Sequence, residues 1–161
     1  EHTLASTNFE MSLTFEYAIY MQIQSPEKIG SALLQDFFGN PEQRILAASQ
    51  RYSSEEFEEF LDGMLSYYSE RKIPEATINM LGYDQLRRDQ PEHAMILFQH
   101  NLVRFPESAN VYDSMGDGLV ALGKSKKAVP YFEKAVELGE KNKHSDLGLF
   151  KKNLASAKEG N

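Results

Sequence analysis

The sequence contains no cysteine. Without thiols the chain forms no disulfide, no thiolate nucleophile and no cysteine-based zinc site. That absence suits cytoplasm and periplasm equally and does not choose between them. Basic residues are also scarce: 17 Lys and Arg against 24 Asp and Glu leave a formal net charge of -7. Phosphate backbones are held by clustered positive charge, so nucleic acid is not expected as the main partner. The short basic runs at Arg87-Arg88, Lys124 to Lys127 and Lys151-Lys152 read as solvated faces. No apolar run approaches the roughly 20 residues of a membrane-spanning helix, and no membrane contact is expected. The Gly-x-Ser-x-Gly, phosphate-loop and His-Glu-x-x-His motifs are all missing, and no cofactor is expected.

What is present reads as helix. Hydrophobic residues make up 41% and charged residues 25% of the 161, the balance of a globular protein. Ser25-Pro26 and Asn40-Pro41 place a capping side chain before a proline at the first helical position, where its missing N–H costs nothing. Ser53 with Glu56 three residues on forms a capping box. Helices are therefore expected near 26–38, 41–51 and 54–70. The third carries Phe57, Phe60, Leu61, Met64, Leu65 and Tyr68 at helical spacing. Beyond Pro74 the pattern predicts helices over 75–88, 91–104, 108–122, 126–139 and 145–158. Asp89-Gln90 and Gly123-Lys124 supply the turns, and Ser125 caps a helix that Pro130 should bend slightly. The first residues are ambiguous. Phe9 to Ile23 alternates like a strand, yet Phe9, Leu13, Tyr17 and Tyr20 also form a helical stripe, and helix near 8–23 is the favoured reading.

The segment from Ile78 to Pro106 recurs 34 residues later without a gap. Leu81-Gly82 becomes Met115-Gly116, Ala94 becomes Ala128, and Phe98 becomes Phe132. A large residue, Leu-Gly, then Ala-x3-Phe at this period is the tetratricopeptide signature. The expected fold is all-α: a helical hairpin stack of two clear repeats and a capping helix, preceded by additional helices. Three stretches follow: an apolar segment at 1–24, a helical linking or extension region at 25–73, and the repeat domain at 74–161. Gly82 and Gly116 should mark close backbone approaches, with Phe98 and Phe132 filling the space between hairpins.

Such stacks bind on the inner faces of their first helices. Helical spacing puts Asn79, Met80, Tyr83 and Arg87 on one such face, and Asn110, Asp113, Ser114 and Asp117 on the next. Asparagine both donates to and accepts from a peptide backbone, and Asp113 with Asp117 forms an acidic spot suited to Lys or Arg. An ordinary solvated groove is the competing reading. His93 and His100 lie seven apart with Glu92 nearby, but a metal site needs a third ligand and closer spacing, so none is assigned.

The run Ile78 to Tyr83, with Phe105 to Asp117, closely resembles the tetratricopeptide tail of bacterial esterases of the α/β-hydrolase superfamily and of some serine β-lactamase-like proteins. Glu1 to Thr7 resembles the esterase loop that holds the catalytic histidine, and the aromatic segment after it resembles that domain's final helix. The resemblance implies the C-terminal part of an esterase-like hydrolase, with His2 as the candidate catalytic residue. The chain opens on Glu1 without Met, which also reads as a fragment or a processed chain. The nucleophile and its acid have no counterpart here, so no acyl-transfer route is expected from this chain alone. The expected function is a non-catalytic protein-interaction or domain-docking module, its partner a protein, a peptide or an upstream domain. The alternatives are a regulatory, oligomerisation or substrate-access segment of an active serine esterase, and a free-standing adaptor. Residues 8–23 are expected either to fold onto the chain's own helices or to pair with a second copy.

Overall fold

Prolines at helix starts and left-handed residues at helix ends mark several of the boundaries. In the computed structural model, which describes residues 41–67 and 73–160, every regular element is an α-helix. The described helices are α1 (Pro41–Ser49), α2 (Ser54–Tyr67), α3 (Glu75–Arg87), α4 (Pro91–Arg104), α5 (Ala109–Ala121), α6 (Ser125–Asn142) and α7 (Leu147–Glu159). The expected helices near 8–23 and 26–38, the pairing of copies through 8–23, His2 and the Asn40 cap lie outside the described residues.

The Ser53–Glu56 capping box forms reciprocally. Ser53 N donates to Glu56 Oε2 at 2.9 Å, and Glu56 N donates to Ser53 Oγ at 3.4 Å. Ser125 is not a cap: Lys124 takes that place, and Ser125 is the first helical residue of α6. That helix also runs three residues past the expected 139, carrying on through an exposed Pro130. It stops where Lys143 turns left-handed at φ 52. Helices α3, α5 and α6 end alike. Asp89 (φ 59), Gly123 (φ 70) and Lys143 each turn left-handed, while the next amide bonds back to Gln85 O, Leu119 O and Gly139 O respectively. This is the six-to-one closure that satisfies a carbonyl at a helix end. Asp89 fills the glycine's role because short polar side chains tolerate this region best after glycine.

The helices pack as a two-row stack. Helices α1, α3, α5 and α7 touch in sequence along one row, and α2, α4 and α6 back them as second helices of the hairpins. The stretch from Pro41 to Asn161 is one compact unit, so the residues before the repeats supply a third hairpin. Its Ile45, Phe57 and Leu61 join Ile78 and Leu97 of the next hairpin in one buried cluster.

Within each repeat a phenylalanine ring seats on the glycine of the partner helix. A Cβ built on Gly82 would fall 2.7 Å from Phe98 Cδ1, and one on Gly116 would fall 2.7 Å from Phe132 Cδ1. The close approach expected at these glycines is therefore to a ring, not to backbone. Phe98 also reaches the next hairpin, since a Cβ on Gly118 would lie 3.1 Å from its Cδ2. Ala94 and Ala128 are fully buried. Phe150 stands 34 residues after Gly116 and packs back on Gly139 of α6. Lys151, Lys152 and Lys158 stay on the exposed side of α7, which covers the last hairpin.

Candidate functional site

The row formed by α3, α5 and α7 carries the residues singled out from spacing, and side-chain hydrogen bonds join most of them. Tyr83 and Asp117 occupy the same place in successive repeats, 34 positions apart. They meet: Tyr83 Oη donates to Asp117 Oδ2 at 2.8 Å and lies 3.3 Å from Ser114 Oγ. Ser114 is fully buried and donates to Asn110 O at 2.9 Å. Asn110 in turn donates through Nδ2 to Glu75 Oε1 at 3.1 Å. Asp113 faces α7, where Asn153 Nδ2 donates to its two oxygens at 3.1 and 3.2 Å.

The other three candidates stay outside this network. Met80 is 51% exposed. Arg87 is exposed and pairs with Asp84 at 3.2 Å, while Arg88 reaches the same carboxylate at 2.7 Å. These two guanidiniums, Arg88 first, hold Asp84 below its ordinary pKa. Asn79 Oδ1 is buried and has no hydrogen-bond partner among the described residues, which leaves one acceptor on the inner row unused.

Burial dominates the electrostatics. It raises the Tyr83 phenol well above its ordinary range, and the neighbouring Asp117 charge adds to this. Burial also raises Asp113 to about 6; the bonds from Asn153 work against the shift, and Asp117 and Asp146 reinforce it. Asp117 is raised by burial and partly held down by the Tyr83 hydrogen bond.

Two contributors escaped the spacing argument. Glu75, in the first turn of α3, takes hydrogen bonds from Ser108 Oγ at 3.0 Å and from Asn110, while its carbonyl accepts from buried Asn101 at 3.1 Å. It ties the start of one repeat to the start of the next. Asn153 is the other. Its position beside Phe150, Leu154 and Ala157 marks the inward side of α7, a signal present at helical spacing but masked by the surrounding lysines.

The histidines of α4 serve packing. His93 is buried on the Phe57 ring, 4.8 Å between centroids, with Nε2 3.2 Å from Tyr52 O. His100 Nε2 lies 3.3 Å from Asp62 Oδ1 on α2. Among the described residues no group of three His, Asp or Glu side chains is placed to hold a metal ion. No described helix is long and apolar enough to cross a membrane. Comparison with protein-family models, with curated proteins and with solved structures returns no match to this chain.

Proposed function

We propose that this chain is a non-catalytic protein-interaction or domain-docking module of the tetratricopeptide type, forming the C-terminal part of a bacterial esterase-like hydrolase. The observation that supports it most is the repetition of one packing unit at a 34-residue spacing, Gly82 under Phe98 and Gly116 under Phe132. A stack built this way lines up equivalent positions of successive first helices, which suits an extended partner lying across them. On that row Met80, half exposed, offers apolar contact. The net charge of -7 favours a basic segment.

An NMR titration of the isotope-labelled chain with short extended peptides containing lysine tests this reading. The expected result is shift changes gathered on Asn79, Met80, Tyr83 and Arg87, weakening as salt is added. Met80→Ala should lower affinity roughly five- to ten-fold, the loss of about 1 kcal/mol of apolar contact. Shifts scattered over the surface would count against an inner-row site. Turnover of a p-nitrophenyl ester by the chain alone would overturn its non-catalytic character.

A further inference from the structure

The first hairpin is a third, worn copy of the packing unit. Helices α1, α3 and α5 start at Pro41, Glu75 and Ala109, 34 positions apart each time. Ala48 then stands where Gly82 and Gly116 stand, and Met64 where Phe98 and Phe132 stand, both only 5% exposed. Successive first helices therefore meet at equivalent places, and the α5–α7 seam shows one such pair. There Asn153 of α7 donates to Asp113 of α5, 40 residues away. One step of 34 earlier, the same two places hold Leu119 and Asn79. A second step earlier they hold Gln85 and Ile45.

Both earlier seams thus set a polar side chain against an apolar one, and the polar member pays in each. Asn79 Oδ1 is buried without a hydrogen-bond partner among the described residues, and so are Gln85 Nε2 and Oε1. Gln85 is fully buried, so it bears the desolvation cost of an amide on both atoms. At the α3–α5 seam neighbouring bonds offset the mismatch: Tyr83 donates to Asp117, and Ser108 and Asn110 donate to Glu75. The polar contacts described between the first hairpin and α4 lie in the outer row instead. Tyr52 O lies 3.2 Å from His93 Nε2, and Asp62 Oδ1 lies 3.3 Å from His100 Nε2. On the inner row α1 has nine residues, and Ile45 is the one large apolar side chain among those it buries. Arg44 lies over the Phe60 ring of α2, which ties α1 to its own hairpin.

We propose that α1 is a flap hinged on α2, which lifts from α3 well before the rest of the stack opens, because its apolar anchor Ile45 is set against the unpaired amide of Gln85. Lifting brings Gln85 into water and uncovers the side of α3 where Ile78 and Leu81 share a cluster with Ile45 and Ala48. A helix shorter than roughly 12–15 residues is marginal on its own in water, so the released α1 unwinds and its amides exchange. Helices α3, α5 and α7 stay joined meanwhile through the Tyr83, Glu75 and Asn153 bonds. The flap is independent of the partner-binding reading, because it is a property of the chain alone.

Hydrogen exchange of the full chain in low urea, corrected for intrinsic rates, separates this opening from global unfolding. Urea speeds each opening in proportion to the surface it exposes. In the wild-type chain, α1 amides should exchange at least about ten-fold faster than those of α5 and respond only weakly to urea. Those of α5 and α6 should accelerate steeply. Gln85→Leu, which copies Leu119 of the next repeat, should slow α1 exchange about five-fold or more by removing the stranded amide. Wild-type α1 amides that exchange no faster than those of α5, or that share their steep urea response, would overturn the flap without any variant. So would an unchanged α1 rate in a folded Gln85→Leu chain, since lifting would then relieve no amide.

Discussion

Phe98→Ala is expected to destabilise the chain by about 3–5 kcal/mol, close to the largest effect any single truncation produces. The ring is fully buried. It rests on Gly82, meets the Tyr83 ring edge-on at 5.3 Å, and approaches Gly118 of the following hairpin. Truncation therefore opens a cavity with glycine backbone on two sides, where no side chain stands to fill it from Gly82 or Gly118. Helices cannot close it without abandoning the spacing shared by the whole row. Phe132→Ala removes the same ring one repeat later, but Phe132 is neighboured by Leu154 and Ala157 of α7. A helix at the edge of the stack can settle inward more easily, so the loss there should be the smaller of the two. Urea unfolding of both variants measures the difference through the midpoint at constant slope. A typical domain holds roughly 5–15 kcal/mol in total, so Phe98→Ala is expected to sit near the edge of folding.

Gly82→Ala should destabilise by about 1–3 kcal/mol, although alanine is the better helix former by ~1 kcal/mol. The two effects oppose each other, and the geometry decides between them. An added methyl would lie 2.7 and 2.8 Å from Phe98 Cδ1 and Cζ, inside the distance real Cβ atoms keep. The ring has little room to retreat, being fully buried with the Tyr83 ring edge-on at 5.3 Å. Gly116→Ala meets Phe132 in the same way. Gly63 provides the contrast: in the middle of α2, a Cβ there meets nothing within 4 Å among the described residues. Gly63→Ala should thus gain up to about 1 kcal/mol, the bare propensity difference. Opposite signs for one chemical change at Gly82 and Gly63, with partial rescue of Gly82→Ala by Phe98→Leu, would tie the effect to the ring.

The backbone plan was largely legible because it rests on local signals. Helix α4 begins and ends at the expected Pro91 and Arg104, set by a proline at its first position and a proline two residues beyond its end. The box at Ser53 and Glu56 is a contact over three residues, so its chemistry is written in adjacent letters. The end of α6 was not legible, because nothing at Lys143 advertises a left-handed residue as Gly123 does. The expected inner faces are only partly open, because Asp113 and Ser114 are buried. Helical spacing identifies Asp113, Ser114 and Asp117 as sharing a surface. It does not say that Asn153 arrives from forty residues away to cover Asp113. Nor does spacing reveal that Tyr83 spends its proton on Asp117. Much of the polar surface expected to await a partner is thereby joined within the chain, leaving Met80 and Arg87 as its exposed part.

The claim on which all of this depends is that residues 34 apart are stacked neighbours in two copies of one packing unit. Side-chain NOE spectroscopy of the full chain tests it most directly. The expected cross-peaks join the Phe98 ring to the Gly82 Hα protons, the Phe132 ring to those of Gly116, and the Tyr83 ring to the Ser114 Hβ protons in the next repeat. Phenylalanine rings with no contact to either glycine, or a Tyr83 ring that sees only its own hairpin, would contradict the stacking and the site built on it.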